Sequence, residues 1–192
     1  MHERAAILFL EMGGGFYPDD LKQYCRQQGV KVPTVRSHAV SNVRSATNPP
    51  LSAANAPLDK AAIGTLIAAL AKPGATLAKL QRKFGDDGTY ERFVETYEAT
   101  MDVQLTAVLA PGAAIDVFFF PKIAEGLAAA LDAAVAAKAT IISISLGEAE
   151  SDWGAPAVTL IDAALQRAAH AGITICCSSG DYGSRNRPLG AG

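Results

Sequence analysis

The chain has 192 residues, of which 49% are hydrophobic and 19% are charged, and its formal net charge is −2. This length and composition predict one domain, or a large part of one, with enough apolar residues for a substantial core. The near-neutral charge and the lack of any apolar run of ~18 residues argue against nucleic-acid and membrane partners.

Strands and helices alternate along most of the chain. Several of the strand-like segments are continuously apolar, which is typical of strands covered on both faces. In chain order the predicted elements are strand Ala5–Met12, helix Pro18–Gln28, strand Thr34–Val40, helix Glu91–Leu109, strand Ile115–Phe120, helix Lys122–Lys138, strand Thr140–Leu146, helix Ala155–Ala171 and strand Ile173–Ser178.

One stretch departs from this alternation. SATNPPLSAANAP has the composition of a loop, and the alanine-rich LDKAAIGTLIAALAKPGATLAKLQRKFG predicts one or two helices. We interpret residues at about 43–94 as an insertion-like helical excursion within a single domain that comprises residues 1–192.

The alternation predicts an α/β fold: a doubly wound, mostly parallel sheet with helices on both faces and right-handed crossovers. In such sheets, sites form at the carboxyl ends of the strands. Glu11, the loop from Gly147 to Trp153, and Asp181 are therefore predicted to lie at one edge of the sheet.

Histidine-dependent catalysis lacks suitable residues. His2 is terminal, His38 lies in a polar stretch and His170 lies in a helix, so none is predicted at a strand end beside an acid. The chain also contains no G-x-S-x-G elbow. We expect all three histidines to be structural or solvated.

Metal, phosphate and disulfide chemistry are equally poorly supported. There is no C-x-x-C or H-E-x-x-H motif, and Gly13–Gly15 lacks both the spacing and the lysine of phosphate-binding loops, so we interpret these residues as turn glycines. The odd number of cysteines argues against a disulfide framework, and Cys25, Cys176 and Cys177 are predicted to be buried and reduced.

Carboxyl groups remain as candidates. Glu98 and Asp102 are four residues apart on a predicted helix, so they lie on one face and can share a proton if they are buried. Glu91 and Glu95 have the same spacing, and the spacing alone favours a solvated acidic face.

Four stretches, taken in this order, resemble the sedolisin family of serine-carboxyl peptidases. They are AILFLEMGGGF, YEATMDVQLTAVLAPGAAIDVFF, IISISLGEAESDW and GITICCSSGDYGS. The resemblance covers most of the chain outside the excursion. It implies a subtilisin-like fold and an endopeptidase that works at acidic pH.

The resemblance also implies roles for individual residues. The family's E-x-x-x-D pair falls on Glu98, the general base for a serine, and Asp102, which orients and protonates it. The aspartate of the S-G-D-x-G motif, which completes the oxyanion hole, falls on Asp181, and Glu11 and Trp153 match positions that extend the acidic hydrogen-bond network. An acidic operating pH suits such a site, because carboxyl groups titrate near pH ~4.

The family's nucleophile lies in a G-T-S-A motif, and these 192 residues contain no G-T-S. We therefore expect a C-terminally truncated part of a catalytic domain, inactive alone, whose nucleophile comes from a further segment or chain and whose substrate is a protein or peptide. We expect no cofactor here, although the resemblance implies calcium in the complete family domain. It also implies secretion, although no signal peptide is evident. The alternatives are a non-catalytic relic or protein-interaction module of the same fold, and a Rossmann-type nucleotide binder.

Overall fold

The computed structural model of the protein describes residues 5–40, 55–147 and 149–180. Within these ranges, strands and helices alternate as predicted, and two further helices occupy the excursion. The elements are β1 (Ala6–Glu11), α1 (Pro18–Gln27), β2 (Val35–Ala39), α2 (Lys60–Leu70), α3 (Leu77–Phe84), α4 (Thr89–Leu109), β3 (Ala114–Phe119), α5 (Ala124–Ala136), β4 (Ile141–Ile144), α6 (Glu150–Trp153), α7 (Ala155–His170) and β5 (Thr174–Cys177). The short helix α6 replaces part of a predicted loop.

All described strand pairs are parallel, and the sheet has the order β2-β3-β1-β4-β5. One core cluster lies between the sheet and helices α5 and α7, and a second lies between the opposite face and helices α1 and α4. The predicted α/β fold, a doubly wound parallel sheet with helices on both faces, is confirmed.

The central strand β1 contributes side chains alternately to the two cores. Leu8 and Leu10 belong to the cluster under α5 and α7, and Phe9 belongs to the cluster under α1 and α4. Because successive side chains of a strand point to opposite faces, Glu11 is directed towards α4.

The prediction of uniformly right-handed crossovers is wrong for one connection. The chain moves from β1 to β2 in one direction across the sheet and from β2 to β3 in the other, yet α1 and α4 cover the same face. The connection through α4 therefore has the opposite hand to that through α1. The connections through α5 and α7 move across the sheet in the same direction as the connection through α4, but these helices cover the other face. Their handedness is therefore the same as that of the connection through α1. The unusual connection places α4 over the face of the sheet to which Glu11 points.

Small residues form the buried face of α4. Thr96, Ala99, Val103 and Ala107 are at most 4% exposed. Large apolar residues lie on the outer side, where Tyr97, Leu105 and Leu109 are 58%, 45% and 80% exposed and form what we call the exposed stripe. Small side chains let a helix axis approach a sheet closely, so burial follows size here rather than hydrophobicity.

Residues 55–58 connect the excursion to the main body. The Asn55 side chain accepts a hydrogen bond from the Phe16 backbone N–H at 2.9 Å and donates one to its carbonyl oxygen at 3.1 Å. The Leu58 N–H donates to Thr96 Oγ1 at 2.8 Å. A small core of Leu58, Leu66 and Leu80 then holds α2 and α3 together.

His38 has a structural role, as expected, although an acid that the sequence did not reveal lies beside it on the neighbouring strand. Asp116, which is only 3% exposed, accepts two hydrogen bonds from Arg36, at 2.8 and 2.6 Å. His38 Nε2 lies 2.6 Å from the same carboxylate, and its ring stacks on Phe118. The histidine thus has a structural role between the paired strands β2 and β3, which sequence separation concealed.

The three cysteines are reduced, as predicted, but only Cys25 is buried. Cys176 and Cys177 are exposed because β5 is the outermost described strand of the sheet. The prediction that they are buried was therefore wrong.

Across the described residues, no helix combines the length and the apolar character needed to cross a bilayer.

Candidate active site

The carboxyl ends of the two neighbouring strands β1 and β4 bring Glu11 and Ser145 side by side. Leu10 pairs with Ile144 in the parallel ladder, so the residue after each continues the same register. Adjacent strands are about 4.8 Å apart, and the alternation of side chains directs both residues towards α4. Glu11 is 5% exposed in this position.

Asp102 on α4 lies against both residues. Ser145 Oγ donates a hydrogen bond to Asp102 Oδ2 at 2.7 Å. Asp102 and Glu11 are also in contact through their carboxyl groups, which can share one proton in a hydrogen bond. Burial raises the pKa of Asp102 above its usual value, while the bonds from Ser145 and Glu11 act in the opposite direction.

Burial is the main cause that raises the pKa of Glu11, to about 9. The negative charge of Asp102, its hydrogen bond, and the charges of Glu98 and Glu95 raise that pKa further. The buried Oε1 of Glu11 accepts no hydrogen bond from any N–H or O–H of the described residues. Glu11 is therefore a neutral acid at neutral and acidic pH.

The structure brings three of the five predicted site residues into one cluster. Glu11 and Asp102 are in contact, and Glu98, half-buried one turn earlier on α4, is near enough to act electrostatically on Glu11. Trp153 packs instead against the core under α5 and α7, on the other face of the sheet. Asp181 lies outside the described residues.

The glycines that follow β1 allow its loop to pack directly on α4. A Cβ atom on Gly14 would lie 2.5 Å from the carbonyl carbon of Glu95, and one on Gly13 would lie 2.7 Å from the Glu95 carboxylate. Gly14 also has a φ of +68°, a left-handed conformation that favours glycine. Close approach to the backbone of α4 thus accounts for Gly14, whereas the Glu95 side chain could move away from a Cβ atom on Gly13.

An open cavity of about 1330 Å³ lies at the same edge of the sheet. Its lining begins at Met12, next to Glu11, and includes Leu146, Gly147 and Trp153. Lys122 and Glu125 supply charge at the start of α5. Met12, Leu146 and Trp153 belong to the side of the sheet that α5 and α7 cover, so the cavity lies at the same edge as Glu11 but on the opposite face from α4.

Sequence reasoning missed the contact between Ser145 and Asp102. Ser145 was assigned to the interior of a predicted strand, whereas β4 ends one residue before it. The alternation Ile-Ser-Ile-Ser in residues 142–145 is the available signal, because it places Ser143 and Ser145 on one face of β4.

The cluster is suited to proton transfer. Glu11 holds a proton, Asp102 accepts it in a hydrogen bond, and Glu98 is the neighbour of Asp102 one helical turn away. The described residues contain no group of three His, Cys, Asp or Glu side chains that could hold a metal ion.

No protein-family model matches the chain. A curated protein, kumamolisin from Bacillus sp. (strain MN-32), is 30% identical to it over 181 residues. That match covers 93% of this chain, which spans 25% of the length of kumamolisin. Kumamolisin is a sedolisin and a serine-carboxyl peptidase. Together with the parallel α/β sheet, the match relates this chain to the sedolisin family of peptidases, the relationship that its four sequence stretches predicted.

Proposed function

We propose that this chain forms the acid-bearing part of an acid-active serine-carboxyl endopeptidase, in which Glu98 is the general base, Asp102 orients it and Asp181 donates to the oxyanion. The observation that carries the proposal is the contact between the buried Glu11 and the half-buried Asp102, with Glu98 one helical turn from Asp102. Carboxyl groups that hold and share protons in this way can relay them at a pH at which imidazole would be protonated.

The proposed reaction is the hydrolysis of a peptide bond. Glu98 removes the proton from a serine hydroxyl as its oxygen attacks the carbonyl carbon, and that proton passes to the amine as the C–N bond breaks. A water molecule that gives a proton to Glu98 then attacks the resulting acyl-serine ester, and the ester C–O bond breaks as Glu98 returns the proton to the serine oxygen. Asp102 hydrogen-bonds to Glu98 during the transfer, with Glu11 behind it as a neutral donor. Asp181, in its protonated form, donates a hydrogen bond to the oxyanion, since an ionised aspartate would repel it.

The nucleophile is proposed to come from a segment outside these 192 residues, which contain no G-T-S sequence. The substrate is a protein or peptide. It is proposed to lie in the cavity that begins beside Glu11 at Met12 and extends to Trp153.

The first experiment assays the purified chain on a denatured protein at about pH 4. We expect no turnover. Turnover that is abolished by Glu98→Ala would contradict the assignment of the nucleophile to another segment.

The second experiment uses the DNA that follows codon 192. If an in-frame continuation or a neighbouring frame encodes G-T-S-A, the longer or paired product should hydrolyse protein at about pH 4, and Glu98→Gln should lower kcat at least about 100-fold. Glu91→Gln, two helical turns earlier on the same face of α4, is the matched control and should leave kcat within about twofold. Full activity in Glu98→Gln would refute the proposed base.

The exposed stripe favours a second candidate, a protein-interaction module of the same fold. A cluster of exposed large apolar residues commonly marks a surface that is covered in an assembly. If no G-T-S-A sequence is encoded downstream, and the chain binds a protein partner that is released when Leu105 and Leu109 are changed to serine, the interaction module replaces the peptidase.

A further inference from the structure

Ser145 lies within the acid cluster but has no part in the reaction proposed above. Its hydroxyl is half-buried after the end of β4 and donates to Asp102 Oδ2 at 2.7 Å. A serine hydroxyl has a single O–H donor, so this bond uses the whole donor capacity of the side chain.

We infer that Ser145 is a positioning residue that keeps the negative charge of the buried carboxyl pair on Asp102 and the shared proton on Glu11. The catalytic meaning of this assignment rests on the proposed peptidase function, whereas the assignment itself concerns only this chain.

The two carboxyl groups have different surroundings. The buried Oε1 of Glu11 accepts no hydrogen bond from any N–H or O–H of the described residues, so a charge on Glu11 would be poorly stabilised. Asp102 is less buried and accepts the Ser145 O–H. A hydrogen bond donated to a carboxylate stabilises its charged form, so the pair ionises at Asp102.

The other charged groups near the pair act in the same direction. Glu95 and Glu98 on α4 both raise the pKa of Glu11 by electrostatic repulsion, and Lys122 acts on Glu95. Burial and these two charges disfavour a charge on Glu11, and the bond from Ser145 favours a charge on Asp102. An ionised Asp102 can accept a hydrogen bond from Glu98 once Glu98 has taken up a proton, and a neutral Asp102 would lack this advantage.

The test is a carbon-13 titration of the side-chain carboxyl carbons of Glu11 and Asp102 in the purified chain. Because the two carboxyl groups interact, the carbon-13 shifts of both residues should change in two steps. In the step at lower pH, the larger change should be that of Asp102. In Ser145→Ala, the midpoint of that step should rise by about 1 to 2 pH units, and the chemical-shift change should divide between the two residues.

Two variants separate this role from simple packing. Ser145→Thr keeps a hydroxyl. Its lower titration midpoint, and the distribution of the chemical-shift change between Glu11 and Asp102, should be those of the unchanged chain. Ser143→Ala removes a serine from the same face of β4, one pleat earlier, and should alter neither quantity.

The inference is overturned if Ser145→Ala folds and titrates like the unchanged chain, or if Ser145→Thr behaves like Ser145→Ala. Should the alanine variant not fold, Ser145→Cys retains only a weak donor and should raise the same midpoint, and an unchanged midpoint would refute the inference. No nucleophile is needed for this measurement. It can therefore fail while the peptidase test succeeds, or succeed while that test fails.

Discussion

Replacing Glu11 by glutamine should change how the stability of the protein depends on pH. The pKa of Glu11 rises from 4.5 to about 9 on folding, so the folded state holds a proton that the unfolded state releases. The stabilisation from this group is fully present below pH 4.5 and is lost as the pH rises towards 9. Each pH unit within that window lowers the free energy of unfolding by about 1.4 kcal/mol.

The loss therefore reaches about 3 kcal/mol by pH 7. Glutamine has nearly the same shape, donates through its amide and does not titrate. The free energy of unfolding of Glu11→Gln, measured relative to that of the unchanged chain, should therefore be about 3 kcal/mol larger at pH 7 than at about pH 4. Because the same two proteins are compared at both pH values, any difference between them in hydrogen bonding that does not depend on pH makes no contribution to this change.

Urea unfolding followed by circular dichroism at both pH values measures the quantity directly, with linear extrapolation to water. Glu125→Gln, at an exposed position, is the matched control, and its difference should stay below about 0.5 kcal/mol. Parallel pH profiles for Glu11→Gln and the unchanged chain would refute the conclusion that Glu11 is a buried neutral acid.

Three further substitutions test the scaffold of the site by the same unfolding assay. Gly14→Ala should cost at least about 2 kcal/mol more than Gly29→Ala, because both glycines have a φ of +68° but only Gly14 faces a neighbouring backbone, and equal costs would contradict this contact. Arg36→Ala should cost about 2 to 3 kcal/mol at neutral pH by leaving the buried Asp116 without its bidentate partner. Because the pKa of Asp116 is lowered on folding, that cost should diminish as the pH falls below 3.8, and a cost independent of pH would show that the ion pair is not its source. Val103→Ala should cost about 2 kcal/mol, whereas truncation of either leucine of the exposed stripe should cost less than about 1 kcal/mol, and the reverse order would mean that α4 presents its other face to the sheet.

The helix α4 illustrates how far the sequence reaches. The apolar residues Val94, Tyr97, Met101, Leu105 and Val108 recur at the helical period and correctly predict a helix. From hydrophobicity alone, the side of α4 that carries the exposed stripe would be expected to face the sheet. In the structure, the buried face consists instead of alanines and Val103. The repeat of apolar residues along the sequence identifies the element as a helix, but which face of the helix is buried depends on how closely the neighbouring sheet approaches.

The candidate site divides in the same way. Glu11, Glu98 and Asp102 were identified from short motifs and a resemblance, because their residue types and local spacing are properties of the chain alone. Ser145 was missed, since its contact with Asp102 joins residues 43 positions apart and depends on the register between β1 and β4. The assignment of Asp181 and the role of Trp153 stay predictions.

The sequence by itself determined the local elements, because helix periodicity, glycine turns and continuous apolar strands are encoded within ten or twenty neighbouring residues. Only the tertiary structure decided that the connection through α4 runs with the opposite hand, that α4 lies over the end of β1, and that Glu11 holds a proton. Those features depend on burial and on charges from distant segments, which arise only when β1, β4 and α4 pack together.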